Sequence, residues 1–393
     1  MIRAGVGYSV AANPRTAALE ATTAALAQAG LRVADGALCF ASSALGGAYP
    51  LLLRNVAERA GTREVAGCGS IGVIGGGREI ESGPAVAVMV FGGSSIAPTR
   101  LFVPQLRGRS REVAEEIARI VRPRLGASNL LCLFPDTYNC EPEPLLAALA
   151  RLLPEVTVVG GGATEDGSVG ETFQFCGDTI SSNSVSGMML AGDFEINLGA
   201  ASACTPVGSI HRVTAVRDNV ILELDGRRAW DVFAEAAGPL AADLRRALGF
   251  IFLGVPLSRD APRLERDGFQ VRNITGASEE HGAIAVAHRP ATGDAVGFVL
   301  RDGERARNEL KATLEAMRSR MRNPPAFGLY FDCVSRGSGL YHIPDLDSAY
   351  IGQALGQVPI AGFFTGFEIG PLGGIASVLQ YTGVLALISE RQA

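Results

Sequence analysis

Along the chain, strand-length apolar runs alternate with segments whose apolar residues recur at helical spacing. Residues 16–29 read as a helix with one apolar face, and 37–43 (Ala-Leu-Cys-Phe-Ala-Ser-Ser) as a buried strand. A helix around 50–59, a glycine-rich turn (Gly67-Cys-Gly-Ser-Ile-Gly-Val-Ile74) and a strand at 85–91 complete this first block. The order then recurs. Helix 111–121, strand 129–136, helix 143–153, turn Val159-Gly-Gly-Gly-Ala-Thr-Glu-Asp166 and strand 185–190 form a second block. Helix 304–321, strand 326–333, helix 347–355, turn Gly362-Phe-Phe-Thr-Gly-Phe-Glu-Ile-Gly370 and strand 382–388 form a third. Phe40 to Gly67 and Phe134 to Gly161 both span 27 residues, and Phe331 to Gly362 spans 31. Such agreement points to a repeated α-β-α-β-β unit, although an ordinary βαβ succession gives a similar order.

Between the second and third units the pattern changes. Strands at 212–216 and 220–224 flank the turn Arg217-Asp-Asn219, a helix is predicted over 229–248, and further strands lie near Phe250, Phe269, Ala283 and Ala295. The expected fold is therefore α/β: repeated units forming mixed sheets flanked by helices, with a largely antiparallel middle insertion. Two domains are expected. The first is 1–200, with units at 1–94 and 108–194; the second is 201–393, with the insertion at 201–300 and the third unit at 301–393.

Composition narrows the function. Hydrophobic residues make up 47% and charged ones 19%, which suits a buried core and argues against extended disorder. No apolar run approaches the roughly 20 residues of a membrane helix, and the first residues lack a signal-peptide core, so a cytoplasmic location is expected. The net charge of −5 offers no basic field for nucleic acid. Seven cysteines and four histidines form no Cys-x-x-Cys or zinc pattern, which fits reduced thiols and no metal.

Several segments resemble the FIST family (F-box and intracellular signal transduction). The N-terminal resemblance rests on Gly5-Val-Gly-Tyr-Ser9, Phe40-Ala-Ser42, Gly67-Cys-Gly-Ser70, Val158-Val-Gly-Gly-Gly-Ala163, Cys204-Thr-Pro-Val-Gly208 and Val220-Ile-Leu-Glu-Leu-Asp-Gly226. The C-terminal resemblance rests on Phe331-Asp-Cys-Val-Ser-Arg-Gly337, Pro359-Ile-Ala-Gly-Phe-Phe-Thr-Gly366, Glu368-Ile-Gly-Pro371 and Tyr381-Thr-Gly383. It implies a bacterial sensory module for small ligands such as amino acids, with haem and nitric oxide in one group of relatives. Related members carry or accompany a kinase, methyl-accepting or cyclic-dinucleotide output. This chain reaches Ala393 without such a domain, so a separate partner, such as a histidine kinase or cyclic-dinucleotide enzyme, is expected. Two departures stand out. Phe367 precedes Glu368 where the family usually has glycine, and Leu379-Gln380 stands where many members carry His or Asn before the Tyr-Thr pair. Both would reshape a pocket, so the ligand's identity does not carry over.

Arg336 and Glu368 are the leading candidates for ligand contact, because in open α/β sheets ligands gather beyond strand ends. Arg336 offers a fork for a carboxylate and Glu368 a partner for an ammonium; the alternative is that they pair with each other. Phe363, Phe364, Cys333, Gly337 and Tyr381 complete the expected ligand set, with core packing the competing role for the phenylalanines. Ser42, Ser43, Cys68, Ser70 and Asp136, at equivalent strand ends, suggest a secondary anion or ligand site, against the plainer reading of tight turns. No Walker or dinucleotide glycine motif is present, and no hydrolase elbow. The expectation is therefore a sensor, not an enzyme, with no cofactor. The alternatives are a haem sensor using His342, with His211 and His288 behind it, a thiol enzyme at Cys333 or Cys68, and a ligand-free interaction scaffold.

Overall fold

A computed structural model describes residues 1–258, 262, 264–265 and 268–391. Unit one runs β1 (Ile2–Ser9), α1 (Pro14–Ala29), β2 (Gly36–Ser42), α2 (Tyr49–Ala60), β3 (Val65–Ser70), the hairpin β4 (Val73–Gly75) and β5 (Arg78–Ile80), and β6 (Val86–Gly93). Unit two repeats it with β7 (Ile96–Pro104), α3 (Ser110–Val121), β8 (Ser128–Pro135), α4 (Pro142–Leu152), β9 (Thr157–Gly161), the hairpin β10 (Gln174–Cys176) and β11 (Thr179–Ser181), and β12 (Ser184–Gly192).

Unit three opens with β13 (Phe194–Ser202) and is interrupted by the insertion. There β14 (Cys204–Arg217), β15 (Val220–Leu224), β16 (Arg227–Arg228), α5 (Ala229–Ala237), α6 (Leu244–Phe250), β17 (Ile251–Pro256), β18 (Phe269–Arg272), β19 (Ile274–Ser278), β20 (Ala283–Val286) and β21 (Ala295–Arg301) build one antiparallel sheet. The unit resumes with α7 (Gly303–Arg320), β22 (Pro325–Cys333), α8 (Gly337–Tyr341), α9 (Leu346–Leu355), β23 (Ile360–Thr365), the hairpin β24 (Glu368–Leu372) and β25 (Ile375–Leu379), and β26 (Thr382–Glu390). The single helix expected over 229–248 breaks at Gly238-Pro239, where a proline cannot continue the helical ladder.

Each unit makes the same four-strand sheet around one parallel pair: β1-β6-β2-β3, β7-β12-β8-β9 and β13-β26-β22-β23. The hairpins do not stay at home. The β4–β5 hairpin of unit one pairs with β23 of unit three, β10–β11 of unit two with β3 of unit one, and β24–β25 of unit three with β9 of unit two. The exchange is cyclic and makes the three units interdependent.

Three of the predicted glycine-rich turns are therefore mostly strands, and their glycines have a common cause. A Cβ on Gly67, Gly160 or Gly362 would lie 1.8, 2.0 or 1.6 Å from the carbonyl oxygen of Cys39, Leu133 or Tyr330, its partner on the neighbouring parallel strand. The unit-two equivalent of Gly67 is thus Gly160, one residue before the position that spacing suggested.

Period-two alternation assigns the two faces of every sheet. Leu38 and Phe40 of β2, Cys132 and Phe134 of β8, and Leu329 and Phe331 of β22 point into one shared core, with Met89, Met188 and Val384 from the antiparallel neighbours. The intervening residues face helices: Cys39 meets α1 and α2, Leu133 meets α3 and α4, and Tyr330 meets α7 and α9. The centre is plugged by aromatic rings, with Phe40, Phe134 and Phe331 around Phe363 at centroid separations of 4.8 to 5.8 Å.

Candidate functional site

Where β22 and β23 end, an arginine and four acids are buried together. Arg336 Nε lies 2.8 Å from Asp332 Oδ1, and its Nη2 lies 2.7 Å from Asp347 Oδ2 at the start of α9. Nη1 donates to the Ala201 carbonyl at 3.0 Å and Nη2 to the Tyr341 hydroxyl at 2.7 Å. The fork expected to hold a ligand carboxylate is spent on the protein's own groups. It does not pair with Glu368 either. Sequence reasoning missed Asp332 and Asp347 because they are 15 residues apart and meet only through the fold.

One guanidinium cannot neutralise this cluster. Asp332 Oδ2, Asp347 Oδ1 and Glu79 Oε2 are buried without a hydrogen-bond partner. Burial, then the nearby Asp347, raises the Asp332 carboxyl well above its usual range. The same two causes bring Glu79 up to about 7. Glu79 arrives from unit one on the exchanged hairpin and accepts from the Ser348 amide of unit three at 2.5 Å.

Glu368 is fully buried, and burial raises it to about 8. Its neighbours fit a protonated acid. The Thr365 hydroxyl has two acceptors within reach, the Asp332 carbonyl at 3.0 Å and Glu368 Oε1 at 2.6 Å, but only one hydrogen. A Glu368 O–H donating to Thr365 Oγ1 resolves the conflict, while Glu368 Oε2 accepts from the Thr382 amide at 3.1 Å. Burial, then Glu368, pushes the Cys333 thiol well up, against any thiolate role.

The remaining expected positions are structural. Phe363 belongs to the central aromatic plug and Phe364 to the α7–α9 core, so neither walls a ligand pocket; Phe367 packs against the unit-two core. Gly337 has φ 58° and takes the Glu81 carboxylate where a Cβ would stand, 2.7 Å away. Ser42 Oγ accepts from the Ala85 amide at 2.8 Å, Ser43 opens a short 3-10 turn, and Cys68 lies in the central core. Ser70 Oγ bridges Thr164 Oγ1 at 3.0 Å and the Phe364 carbonyl at 2.8 Å, joining all three units. Asp136 is buried with both oxygens occupied, by the Tyr138 amide at 2.9 Å, Asn139 Nδ2 at 2.8 Å and the Asn183 amide at 2.7 Å. These residues hold turns together and leave no free anion cradle. His342 is exposed, in the left-handed conformation after α8.

Open space lies elsewhere, and one of several hollows on the molecule sits between unit three and the insertion. A cavity of about 120 Å³ is walled by Ser202, Thr205, Phe269, Glu309, Gln380 and Thr382, together with further apolar side chains. Gln380, one of these wall residues, has its Oε1 buried without a hydrogen-bond partner. Thr382 joins the wall directly to Glu368 behind it. Tyr381, between those two wall residues, adopts the left-handed conformation with φ 57°, which costs a non-glycine residue ~1–3 kcal/mol. Its ring stacks on Phe252 at 4.1 Å, its hydroxyl donates to Asn273 Oδ1 at 2.6 Å, and its carbonyl accepts from the Ala203 amide at 2.7 Å. The segment from Leu379 to Thr382 thus lines the cavity and clasps the insertion at once. Its one visible signal in the sequence was the departure at Leu379-Gln380.

Among the described residues, no cluster of His, Cys, Asp and Glu is placed to hold a metal ion, and no helix is long and apolar enough to cross a membrane. The chain is a three-unit α/β scaffold of mixed sheets with an inserted, largely antiparallel domain. The chain belongs to the FIST family: the FIST N domain matches residues 35–227 and the FIST C domain residues 229–371. FIST domains are associated with sensing in signal transduction. The boundary between the two matches falls inside the insertion, between β16 and α5, and does not follow the structural units. The uncharacterized protein Rv0628c of Mycobacterium tuberculosis is 29% identical over 99% of this chain and 100% of its own length. The uncharacterized protein Mb0898c of Mycobacterium bovis is 26% identical over 99% of both chains. A solved cyanuric acid hydrolase from A. caulinodans aligns over 100% of both chains with a TM-score of 0.39 and 12% identity, too distant to lend its fold or activity.

Proposed function

We propose that this protein is a small-ligand sensor that binds an amino acid or similarly small polar metabolite and signals through a separate partner protein. The observation that carries this reading is the cavity between unit three and the insertion, with an unpaired buried acceptor on Gln380 and the strained Tyr381 clasp beside it. A buried polar atom without a partner is costly, and a ligand that satisfies it gains that energy back on binding. A ligand signals only if it prefers one conformation, and a clasp held in a strained geometry is an element able to exist in two. A histidine kinase or a cyclic-dinucleotide enzyme is the fitting kind of output partner.

The test is native mass spectrometry of the purified chain, followed by thermal denaturation against a panel of amino acids. A copurified small molecule, or stabilisation by one amino acid class, is expected. A ligand at about 100 times its Kd adds ~2.7 kcal/mol. Ala200→Phe, which fills the cavity from a half-buried wall position, should abolish both signals. A bare mass together with a flat panel rejects the sensor reading.

A further inference from the structure

We propose that the junction between the exchanged β4–β5 hairpin and α9 is a proton-operated latch: a carboxyl proton on Glu79 keeps the hairpin of unit one docked on unit three, and its loss loosens the dock. Glu79, Asp332 and Asp347 do not line the cavity, so the latch is independent of the ligand reading. Glu79 is buried where the hairpin meets the first turn of α9. Its Oε1 accepts from the Ser348 amide, and its own amide donates to Asp345 Oδ1 at 2.7 Å. Two residues on, Glu81 accepts from the Ser338 amide and hydroxyl at 2.8 Å each. Arg78 pairs with Asp345 at 2.8 Å on the exposed side.

Inward of Glu79 stand Asp347 of α9 and Asp332 of β22, with Arg336 spent on both aspartates at 2.7 and 2.8 Å and the Tyr330 hydroxyl on Asp347 Oδ2 at 2.8 Å. Three carboxyls share one guanidinium, and an unpaired buried charge is costly. Asp332 Oδ2, Asp347 Oδ1 and Glu79 Oε2 are left over as buried acceptors. Acceptors without a donor between them call for a hydrogen, and a carboxyl can carry it. Asp332 and Asp347 both belong to unit three, so only a proton on Glu79 bears on the contact between units. The matching strand of unit two, β11, is Thr-Ile-Ser and holds no acid, so docking a hairpin does not itself require one. Ser348, through its amide and hydroxyl, favours a charge on Glu79, but burial and Asp347 outweigh it and bring the carboxyl from 4.5 up to about 7. The latch is therefore at full strength below pH 4.5 and weakens as pH rises towards 7. Across that interval opening becomes about tenfold easier per pH unit.

Hydrogen exchange of the full chain at about pH 5 and pH 8, each rate set against that of an unstructured peptide at the same pH, reads the latch. The amides of β4, β5 and the first turn of α9 should be at least about tenfold less protected at the higher pH, while β10 and β11 change by about threefold or less. Glu79→Gln imitates the protonated acid, accepting from Ser348 and donating with its amide. Its β4 and β5 protection should differ by about threefold or less between the two conditions. Glu368→Gln removes another acid that burial raises, to about 8, and should leave the wild-type pH dependence in place. Equal protection of the wild-type hairpin at both pH values overturns the proposal, as does a pH dependence that survives Glu79→Gln or disappears in Glu368→Gln. Should Glu79→Gln not fold, the wild-type and Glu368→Gln profiles still decide.

Discussion

Glu368 and Arg336 show how far burial alters a side chain's role. Both are polar residues at a strand end in a ligand-binding family, and both turn inward. The Glu368 carboxyl keeps its proton to about pH 8 in the folded protein, against an ordinary value of 4.5. Its contribution to stability is therefore fully present below pH 4.5 and is lost as pH rises through 8. A glutamine in its place donates to Thr365 and accepts from Thr382 as the neutral acid does, without ever charging. Glu368→Gln should match wild-type stability near pH 4, where the carboxyl is protonated folded and unfolded alike, and exceed it increasingly towards pH 9, read by chemical denaturation at both pH values. A variant that loses stability equally at the two pH values shows that the carboxyl is ionised in place. Arg336 answers to a different rule. Arg336→Ala leaves Asp332 and Asp347 facing each other in the interior, and breaking a buried pair in this way costs ~3–5 kcal/mol. Arg336→Lys should recover little of it, since one ammonium cannot reproduce the fork that reaches Asp332, Asp347, Tyr341 and the Ala201 carbonyl. Denaturation midpoints of both variants near the wild-type value would show that the guanidinium is dispensable.

The parallel pair at the heart of each unit depends on a glycine that lets one strand pass over the carbonyl of the next. Gly362→Ala places a methyl 1.6 Å from the Tyr330 oxygen; the strands must separate, and a loss of more than ~3 kcal/mol is expected, in the range of severe overpacking. Gly352→Ala, inside α9 with nothing within 4 Å of the new Cβ, should instead gain ~0.5–1 kcal/mol. Comparable midpoint changes in the two would mean that backbone contact is not what the strand glycines serve. These glycines also explain what could be read from the sequence. Apolar runs marked the two main helices and two strands of each unit, and their order and spacing marked the repeat, but the opening strands β1, β7 and β13 went unread. The glycines themselves looked like turns, because residue type does not distinguish a turn from a close backbone crossing. The hairpin exchange left no local trace, since Glu79 finds Ser348 269 positions away. The site was half visible. Glu368 was read as a ligand contact and lies instead behind the wall, joined to it through Thr382; the wall itself is assembled from β13, β14, Leu264, β18, α7, β24 and the β25–β26 connection, and no single stretch of sequence announces a surface gathered from so many places.

At the scale of the molecule, the cyclic hairpin exchange ties the three units together, and the insertion is joined to them at a narrow root and through a few side-chain contacts, among them Arg272 to Glu143 of unit two at 3.0 Å. It leaves the units at Ala203 and returns at Asp302, two residues joined by a hydrogen bond of 3.1 Å, with the Tyr381 carbonyl held to the Ala203 amide at the same root. Tyr381 adds the Phe252 stack and the Asn273 hydrogen bond on the insertion's side. Replacing it by glycine sets two effects against each other. The left-handed backbone becomes unstrained, a gain of ~1–3 kcal/mol, while the aromatic pair and the hydrogen bond, ~0.5–1.5 kcal/mol each, are lost. The burial of the ring, up to ~1.5–3 kcal/mol, is lost as well, so global stability of Tyr381→Gly should fall, by no more than a few kcal/mol. The insertion's attachment is affected differently, because only the losses bear on it. Hydrogen exchange in β17 and β18 should accelerate by about tenfold, the equivalent of ~1.4 kcal/mol, with β2, β8 and β22 unchanged. The same variant separates binding from signalling. A ligand in the cavity should slow exchange in β17 and β18 of the wild type, because the wall it touches holds Tyr381 between Gln380 and Thr382. In Tyr381→Gly the ligand should still bind, but the protection should stay confined to the cavity wall. Ligand-dependent protection of β17 and β18 that survives the substitution would mean that occupancy reaches the insertion by direct contact with Phe269 and Val271, and that the strained tyrosine is no relay.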